Sequence, residues 1–169
     1  MKKIIFSVAV LLSGMVLQAQ DIDFGVTAGY LNAEGKIKAE DFTISVSESG
    51  FYIGAVVDFT IDEKFHIQPE LLYASIDDSD VILLPIMARY YVSDKFNLQA
   101  GPQIVFSLED TPEDFSSVEF DIAGGLGYDI TDNFFLEARY TFQLNNSYTG
   151  PEDVKVRGNY LTIGVGYTF

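Results

Sequence analysis

The chain ends Asn159-Tyr160-Leu161-Thr162-Ile163-Gly164-Val165-Gly166-Tyr167-Thr168-Phe169, and the alternation in that stretch decides the fold. Leu161, Ile163, Val165, Tyr167 and Phe169 fall on one parity, and Tyr160, Thr162, Gly164, Gly166 and Thr168 on the other. A period of two with one apolar face describes a β-strand whose side chains meet two different media. A soluble domain gains little by ending on an exposed Phe beside such a strand. A barrel whose outer face meets lipid gains a great deal.

Seven further segments carry the same alternation. The expected strands run over Ile22–Asn32, Phe51–Ile61, Phe65–Ser75, Val81–Val92, Phe96–Ser107, Val118–Ile130, Phe134–Leu144 and Asn159–Phe169. Their lengths suit the ~9–11 residues that a tilted strand needs to cross a bilayer. Ile61-Asp62-Glu63-Lys64-Phe65, Val92-Ser93-Asp94-Lys95-Phe96 and Ile130-Thr131-Asp132-Asn133-Phe134 repeat one theme, a polar Asp-containing turn between an apolar residue and Phe. Asp, Asn and Ser favour such turns because their side chains bond nearby backbone groups. These three tight turns alternate with four longer expected loops, Ala33–Gly50, Ile76–Asp80, Leu108–Ser117 and Asn145–Gly158. Tight turns at one end and long loops at the other are the layout of an outer-membrane barrel. The expected fold is therefore all-β, an eight-stranded antiparallel up-and-down transmembrane barrel with both termini on the periplasmic side.

The distribution of charge tests that expectation. The outward parity of all eight strands, including Phe24, Val26, Phe51, Ile53, Leu71, Leu98, Phe120, Leu136 and the terminal set, contains no charged residue. Asp58, Glu70, Arg89, Glu119, Asp121, Asp129, Glu137 and Arg139 all fall on the inward parity. A charge facing lipid at the bilayer midplane costs about 2–4 kcal/mol, so this segregation is what lipid selects. A soluble barrel would be apolar inside and polar outside, the reverse pattern. Aromatic residues cluster at the strand ends, as in interfacial girdles.

The front of the chain points to export. Lys2 and Lys3 precede an apolar run from Ile4 to Leu17, then Gln18-Ala19-Gln20. This is the arrangement of a cleaved secretory signal over residues 1–19, with the barrel domain over 20–169 and Leu17 an unusual choice three residues before the cut. The chain has no Cys, which excludes a lipid-anchored N-terminus and any disulfide framework. Its formal net charge is −15, and loss of Lys2 and Lys3 leaves eight bases against 25 acids. Nucleic acid is not expected as a partner, because neutralising phosphates takes clustered Lys and Arg.

Three internal segments and the ending carry a family resemblance. They are Gln68-Pro69-Glu70-Leu71-Leu72-Tyr73, Leu84-Pro85-Ile86-Met87-Ala88-Arg89-Tyr90-Tyr91, and Gly125-Leu126-Gly127-Tyr128-Asp129-Ile130 with Glu137-Ala138-Arg139-Tyr140. With them the chain resembles the small outer-membrane β-barrel domain family of Bacteroidetes-type bacteria, often labelled porin-family, with the OmpX and OmpA barrels as architectural cousins. The family commonly has Glu two residues before the strand-four Pro, where this chain has Leu83. Tyr167 and the terminal Phe169 are similar to the assembly signal of Gram-negative outer-membrane barrels. The resemblance implies the outer membrane as location. It implies outer-membrane lipid and lipopolysaccharide, the barrel-assembly machinery and periplasmic chaperones as partners, and a monomeric state. It implies little about activity.

Asp58, Glu70, Arg89, Glu137 and Arg139 lie at similar depth, so they are expected to pair as a lumen charge network. Tyr52, Leu72, Met87, Tyr91, Phe135 and Tyr160 are bulky inward candidates, and eight strands leave an interior just wide enough for side chains. The expected role is a filled, structural or interaction barrel acting through its extracellular loops; the alternative is a narrow porin-like channel. Chemistry is not expected: the single His66 faces inward as a hydrogen-bonded core group, and no catalytic, metal or cofactor site stands out. The loop acids Asp77, Asp78, Asp80, Glu109, Asp110, Glu113, Asp114, Glu152 and Asp153 read first as a solvated surface, with Ca²⁺ or Mg²⁺ capture as the lesser alternative. Phe42-Thr43-Ile44-Ser45-Val46 alternates inside the first loop and is expected to lengthen the first hairpin above the membrane, giving a β-edge for a partner.

Overall fold

The computed structural model describes residues 21–39, 42–77, 79–152 and 154–169. The expected leader over residues 1–19 lies outside the described residues, as do Asp78 and Asp153. Eight strands follow in order: β1 (Asp21–Ala39), β2 (Phe42–Thr60), β3 (Phe65–Ile76), β4 (Ser79–Tyr91), β5 (Phe96–Ser107), β6 (Val118–Asp129), β7 (Phe134–Gln143) and β8 (Lys155–Thr168). Each pairs antiparallel with its sequence neighbours, and β8 returns to β1, so the sheet is a closed up-and-down barrel. Closure satisfies backbone groups that an open edge would leave bare in lipid.

The three repeated turns close in one way. Ile61 N–H donates to Phe65 O, Val92 N–H to Phe96 O and Ile130 N–H to Phe134 O, at 3.0, 3.0 and 2.8 Å. The polar residue after the apolar one caps each turn. Asp62 Oδ1 accepts from Lys64 and Phe65 N–H, Ser93 Oγ from Phe96 N–H, and Thr131 Oγ1 from Asn133 and Phe134 N–H.

The opposite end departs from the expected loops. Ala33–Gly50 is not a loop: β1 and β2 stay paired without a break from Asp21↔Thr60 to Ala39↔Phe42. Ile76–Asp80 is not a long loop either, since only residues 77–78 separate β3 from β4. Asp77 there adopts a left-handed φ of 49°, a conformation that Asp tolerates because its side chain bonds locally. The fourth loop is shortened because β8 begins at Lys155 and pairs with Lys38. The extracellular rim is therefore lopsided, with β2, β1 and β8 rising well above the rest.

Outward side chains form the apolar band. Phe24, Phe51 and Phe142 are 61%, 58% and 53% exposed, and the band continues around every strand. An apolar surface of that extent on a soluble monomer would invite aggregation, whereas in lipid it is the solvated surface. Phe59 is an exception, outward by parity yet only 6% exposed.

Inside, an apolar layer spans the lumen: Leu31, Tyr52, Leu72, Leu83, Val105 and Tyr160 pack in one cluster. Leu83 belongs to this layer. Met87 and Phe135 are also buried, and Tyr91 is half-buried. Tyr52 fits because the closing seam is thin beneath it. Gly29 pairs with Tyr52 on one side and Gly164 on the other. A Cβ on Gly29 would meet the Ile163 carbonyl oxygen, Gly164 Cα and the Tyr52 ring. Gly29→Ala is expected to destabilise the refolded barrel by about 1–3 kcal/mol, the usual cost of overpacking. A urea titration in detergent micelles reads this as a lower midpoint; an unchanged midpoint would mean that the seam and ring yield freely.

Candidate functional site

Alternation points one residue in two into the lumen, so charges from β2, β3, β4 and β7 converge there. Two arginines organise them. Arg139 on β7 reaches across the barrel to β3, where Nη1 donates to Glu70 Oε2 at 2.8 Å and Nη2 to Glu70 Oε1 at 2.5 Å. Its Nη2 also donates to Glu137 Oε2 at 2.6 Å, and its Nε to Gln99 Oε1 at 2.7 Å. Arg89 donates through Nη1 to Asp58 Oδ2 and Gln68 Oε1, and through Nη2 to the Tyr91 hydroxyl and Asp129 Oδ1. Gln68 Nε2 donates to Glu70 Oε1 at 2.7 Å, which joins the two clusters. Asp58, Glu70, Arg89, Glu137 and Arg139 are all buried and all belong to this one lattice.

The lattice includes residues that charge reading alone passes over. Gln68 and Gln99 bridge, and Tyr52 donates to Glu137 Oε1 at 3.2 Å. Inward parity is the signal all three carry in the sequence, and Gln68 alone also has a charged neighbour, Glu70, two residues away. His66 completes the periplasmic end: its Nδ1 donates to Asp58 Oδ1 at 2.6 Å and its ring lies against Tyr91. Guanidinium groups suit such sites because their planar fork meets carboxylates bidentately. Beneath the lattice a cavity of ≈ 610 Å³ opens between the tight turns, lined by Asp23, Lys64, His66, Arg89, Asp94 and Asp129 among others.

Above the apolar layer the chemistry changes. Glu119 accepts from the Tyr160 hydroxyl and Ser147 Oγ, and Asp121 Oδ2 accepts from Gln103 Nε2. No Lys or Arg pairs with either among the described residues. Arg89 Nε, Asn97 Nδ2 and Asp121 Oδ1 are buried and find no hydrogen-bond partner there. The expected interior charges thus divide into a paired lower set and an unpaired upper couple.

The raised sheet has two unlike faces. Its strands keep a constant register, so the barrel's parity carries through to the tip. The inward side bears Ile37, Phe42, Ile44 and Val46, each at least 40% exposed, with Val156 opposite Ile37. The outward side bears Glu34, Lys36, Lys38, Lys155 and Arg157. Lys36 Nζ lies 2.9 Å from Glu34 Oε2, and this contact holds the Glu34 carboxyl below its ordinary pKa and the Lys36 ammonium above its own. The β1 extension is paired on both sides. Among the described residues the Phe42–Ser49 stretch of β2 pairs with β1 alone, because β3 pairing begins at Gly50. The acidic loop segments sit beside this sheet, tied by the bridge between Phe115 and Tyr148.

At the other end, Tyr167 packs edge-on against Phe134 and Phe169, with ring centroids 4.8 and 5.6 Å apart. The Phe169 ring is 75% exposed, and its N–H donates to Phe24 O at 2.9 Å.

A closed eight-strand antiparallel barrel with an apolar outer band and a charged, filled lumen defines an integral outer-membrane β-barrel protein. The chain belongs to the outer membrane protein beta-barrel domain family, whose model matches residues 5–169. Neisserial surface protein A is 19% identical, with 89% of this chain and 100% of that one covered at a TM-score of 0.51. Ail, the attachment invasion locus protein of Yersinia pestis, is 15% identical over 89% of this chain and 100% of its own, at a TM-score of 0.50. At such identities the likeness is one of fold. No curated protein sequence matches the chain.

Proposed function

We propose that this protein is a monomeric interaction barrel, anchored by its strands and acting through the raised extracellular sheet. The observation that carries the reading is the contrast between a lumen packed across its width and a sheet that leaves its Phe42–Ser49 edge unpaired beside an apolar face. Unpaired strand edges offer main-chain hydrogen bonds to an incoming strand, and alternate side chains select it. The lumen lattice holds the cylinder in shape. The His66 nitrogen that meets Asp58 is committed to that lattice, which supports a structural rather than a catalytic part for it. The Tyr167 and Phe169 ending serves delivery by the barrel-assembly machinery.

A second reading, a narrow porin-like channel, draws on the cavity at the periplasmic end of the lumen. Planar-bilayer recordings of refolded protein separate the two. The closed reading expects a silent or weakly flickering barrel; large, long-lived openings would favour the channel. Shortening the hairpin by rejoining β1 and β2 near Ala33 and Glu48 tests the sheet itself. Cells carrying the shortened barrel should lose attachment to protein-coated surfaces while its heat-dependent gel shift persists. Undiminished attachment would remove the sheet from the function.

A further inference from the structure

Glu119 and Asp121 are the first two inward residues of β6, at the extracellular end of that strand. Successive residues on one face of a strand stand about 7 Å apart, so the two carboxylates share one small space. No Lys or Arg reaches them among the described residues, because Arg89 and Arg139 are engaged in the lower lattice. Two like charges held together away from water are expensive without a compensating cation.

Two observations gather further oxygen atoms around that space. Asp121 is only 2% exposed, and its Oδ2 accepts from Gln103 Nε2 at 3.1 Å, whereas its Oδ1 is buried with no hydrogen-bond partner among the described residues. A carboxylate oxygen so placed keeps its lone pairs for a ligand. Gly158 on β8 supplies the second observation. A Cβ there would lie 3.6 Å from Glu119 Oε2, 3.6 Å from Gln143 Oε1 and 3.5 Å from the Tyr160 hydroxyl. Oxygens from β6, β7 and β8 thus converge on one point. The Tyr160 hydroxyl donates to Glu119 Oε2 at 2.8 Å, and Gly158 N–H donates to Gln143 Oε1 at 2.5 Å, so both acceptors are held in place. Asp121 pairs directly with Gln143 across β6 and β7, which sets it beside the same point.

The donor set selects the ion. The chain has no Cys, and its single His66 lies at the other end of the barrel, so the donors here are oxygens, which suit a hard cation. Two carboxylates balance a divalent charge. Mg²⁺ demands near-ideal octahedral geometry, whereas Ca²⁺ accepts carboxylate and amide oxygens in an irregular shell. We propose that Glu119, Asp121 and the Gln143 amide oxygen bind a calcium ion in the upper lumen, entering from the extracellular mouth. Two carboxylates are a small charge count, which sets the dissociation constant at about 10⁻⁴–10⁻³ M, the range of extracellular calcium modules. The ion ties β6 to β7 directly, and to β8 through the Tyr160 hydroxyl on Glu119. The site stands apart from the partner-binding reading, since it uses neither the edge nor the faces of the raised sheet.

The test uses the full chain, refolded in detergent and stripped with a chelator, with calcium chloride alone as probe. At about 10 mM calcium, such an affinity multiplies the ratio of folded to unfolded protein by about 10–100, read as a higher urea midpoint. The variant E119Q/D121N should lose that response and, freed of the repulsion, be at least as stable as the stripped wild type. Glu119→Gln alone keeps one carboxylate and should weaken calcium binding by about tenfold. The loop variant D110N/E113Q/D114N should respond as the wild type does. A wild-type midpoint that calcium leaves unchanged overturns the proposal. An equal response in E119Q/D121N overturns it too, and assigns the ion to the loops. An equal response to magnesium chloride overturns the choice of calcium. A midpoint that rises on acidification but not with calcium also overturns the proposal, and shows that the two carboxylates hold a proton instead.

Discussion

Arg139→Met is expected to cost about 3–5 kcal/mol of barrel stability, the range for removing one partner from a buried ion pair. Arg139 supplies three of the charge-assisted bonds that hold Glu70 and Glu137. Those two carboxylates are 0% and 2% exposed at the side chain, so water cannot replace the lost donors. Met matches much of the bulk, which confines the loss to charge and hydrogen bonding. The measurement is a urea titration of refolded protein in micelles, read by the heat-dependent gel shift. Adding Glu70→Gln and Glu137→Gln to the same chain should recover a large part of the loss, because no lone carboxylate then remains. An Arg139→Met midpoint equal to that of the wild type would mean that the lattice contributes nothing to stability.

Deleting Phe169 is expected to separate assembly from stability. The ring is mostly exposed and makes one edge-to-face contact with Tyr167, a pair worth about 0.5–1.5 kcal/mol. One strand-end hydrogen bond to Phe24 O is lost with it. Refolded in detergent, the truncated barrel should therefore unfold at nearly the wild-type urea concentration. In cells, the fraction recovered as heat-modifiable barrel in the outer membrane should fall several-fold. Equal recovery would show that Phe169 is no part of an assembly signal, and a collapse of stability in detergent would show it to be structural.

The strands were legible because lipid imposes a simple rule on each of them separately. Alternation, charge-free outward parity and aromatic ends can be read one strand at a time, as in Leu161, Ile163, Val165 and Tyr167. The turns were legible for the same local reason: Asp62, Ser93 and Thr131 cap within three residues of themselves. The extracellular rim was harder. Polar residues above the apolar band have no medium that enforces a period, so Glu34–Ala39 reads as loop on composition although its backbone stays paired, and only the alternation from Phe42 to Val46 points to the longer hairpin. Ile76–Asp80 misled in the opposite sense, because a left-handed Asp77 turns the chain in less length than its polar run suggests.

The candidate sites depend on longer distances. Glu70 and Arg139 are 69 residues apart, and nothing in either neighbourhood names the other. Inward parity could place both in the lumen, yet their meeting depends on barrel width, which brings β3 and β7 within side-chain reach. The basic face depends on closure. Lys36 and Lys38 belong to one end of the chain and Lys155 and Arg157 to the other, and only the β1–β8 register sets them opposite each other. The sequence by itself determined the medium of each side chain, since water, lumen and lipid act on residues one at a time. Tertiary structure decided which side chains share a site, since closing the sheet fixes the register between strands that the chain keeps far apart.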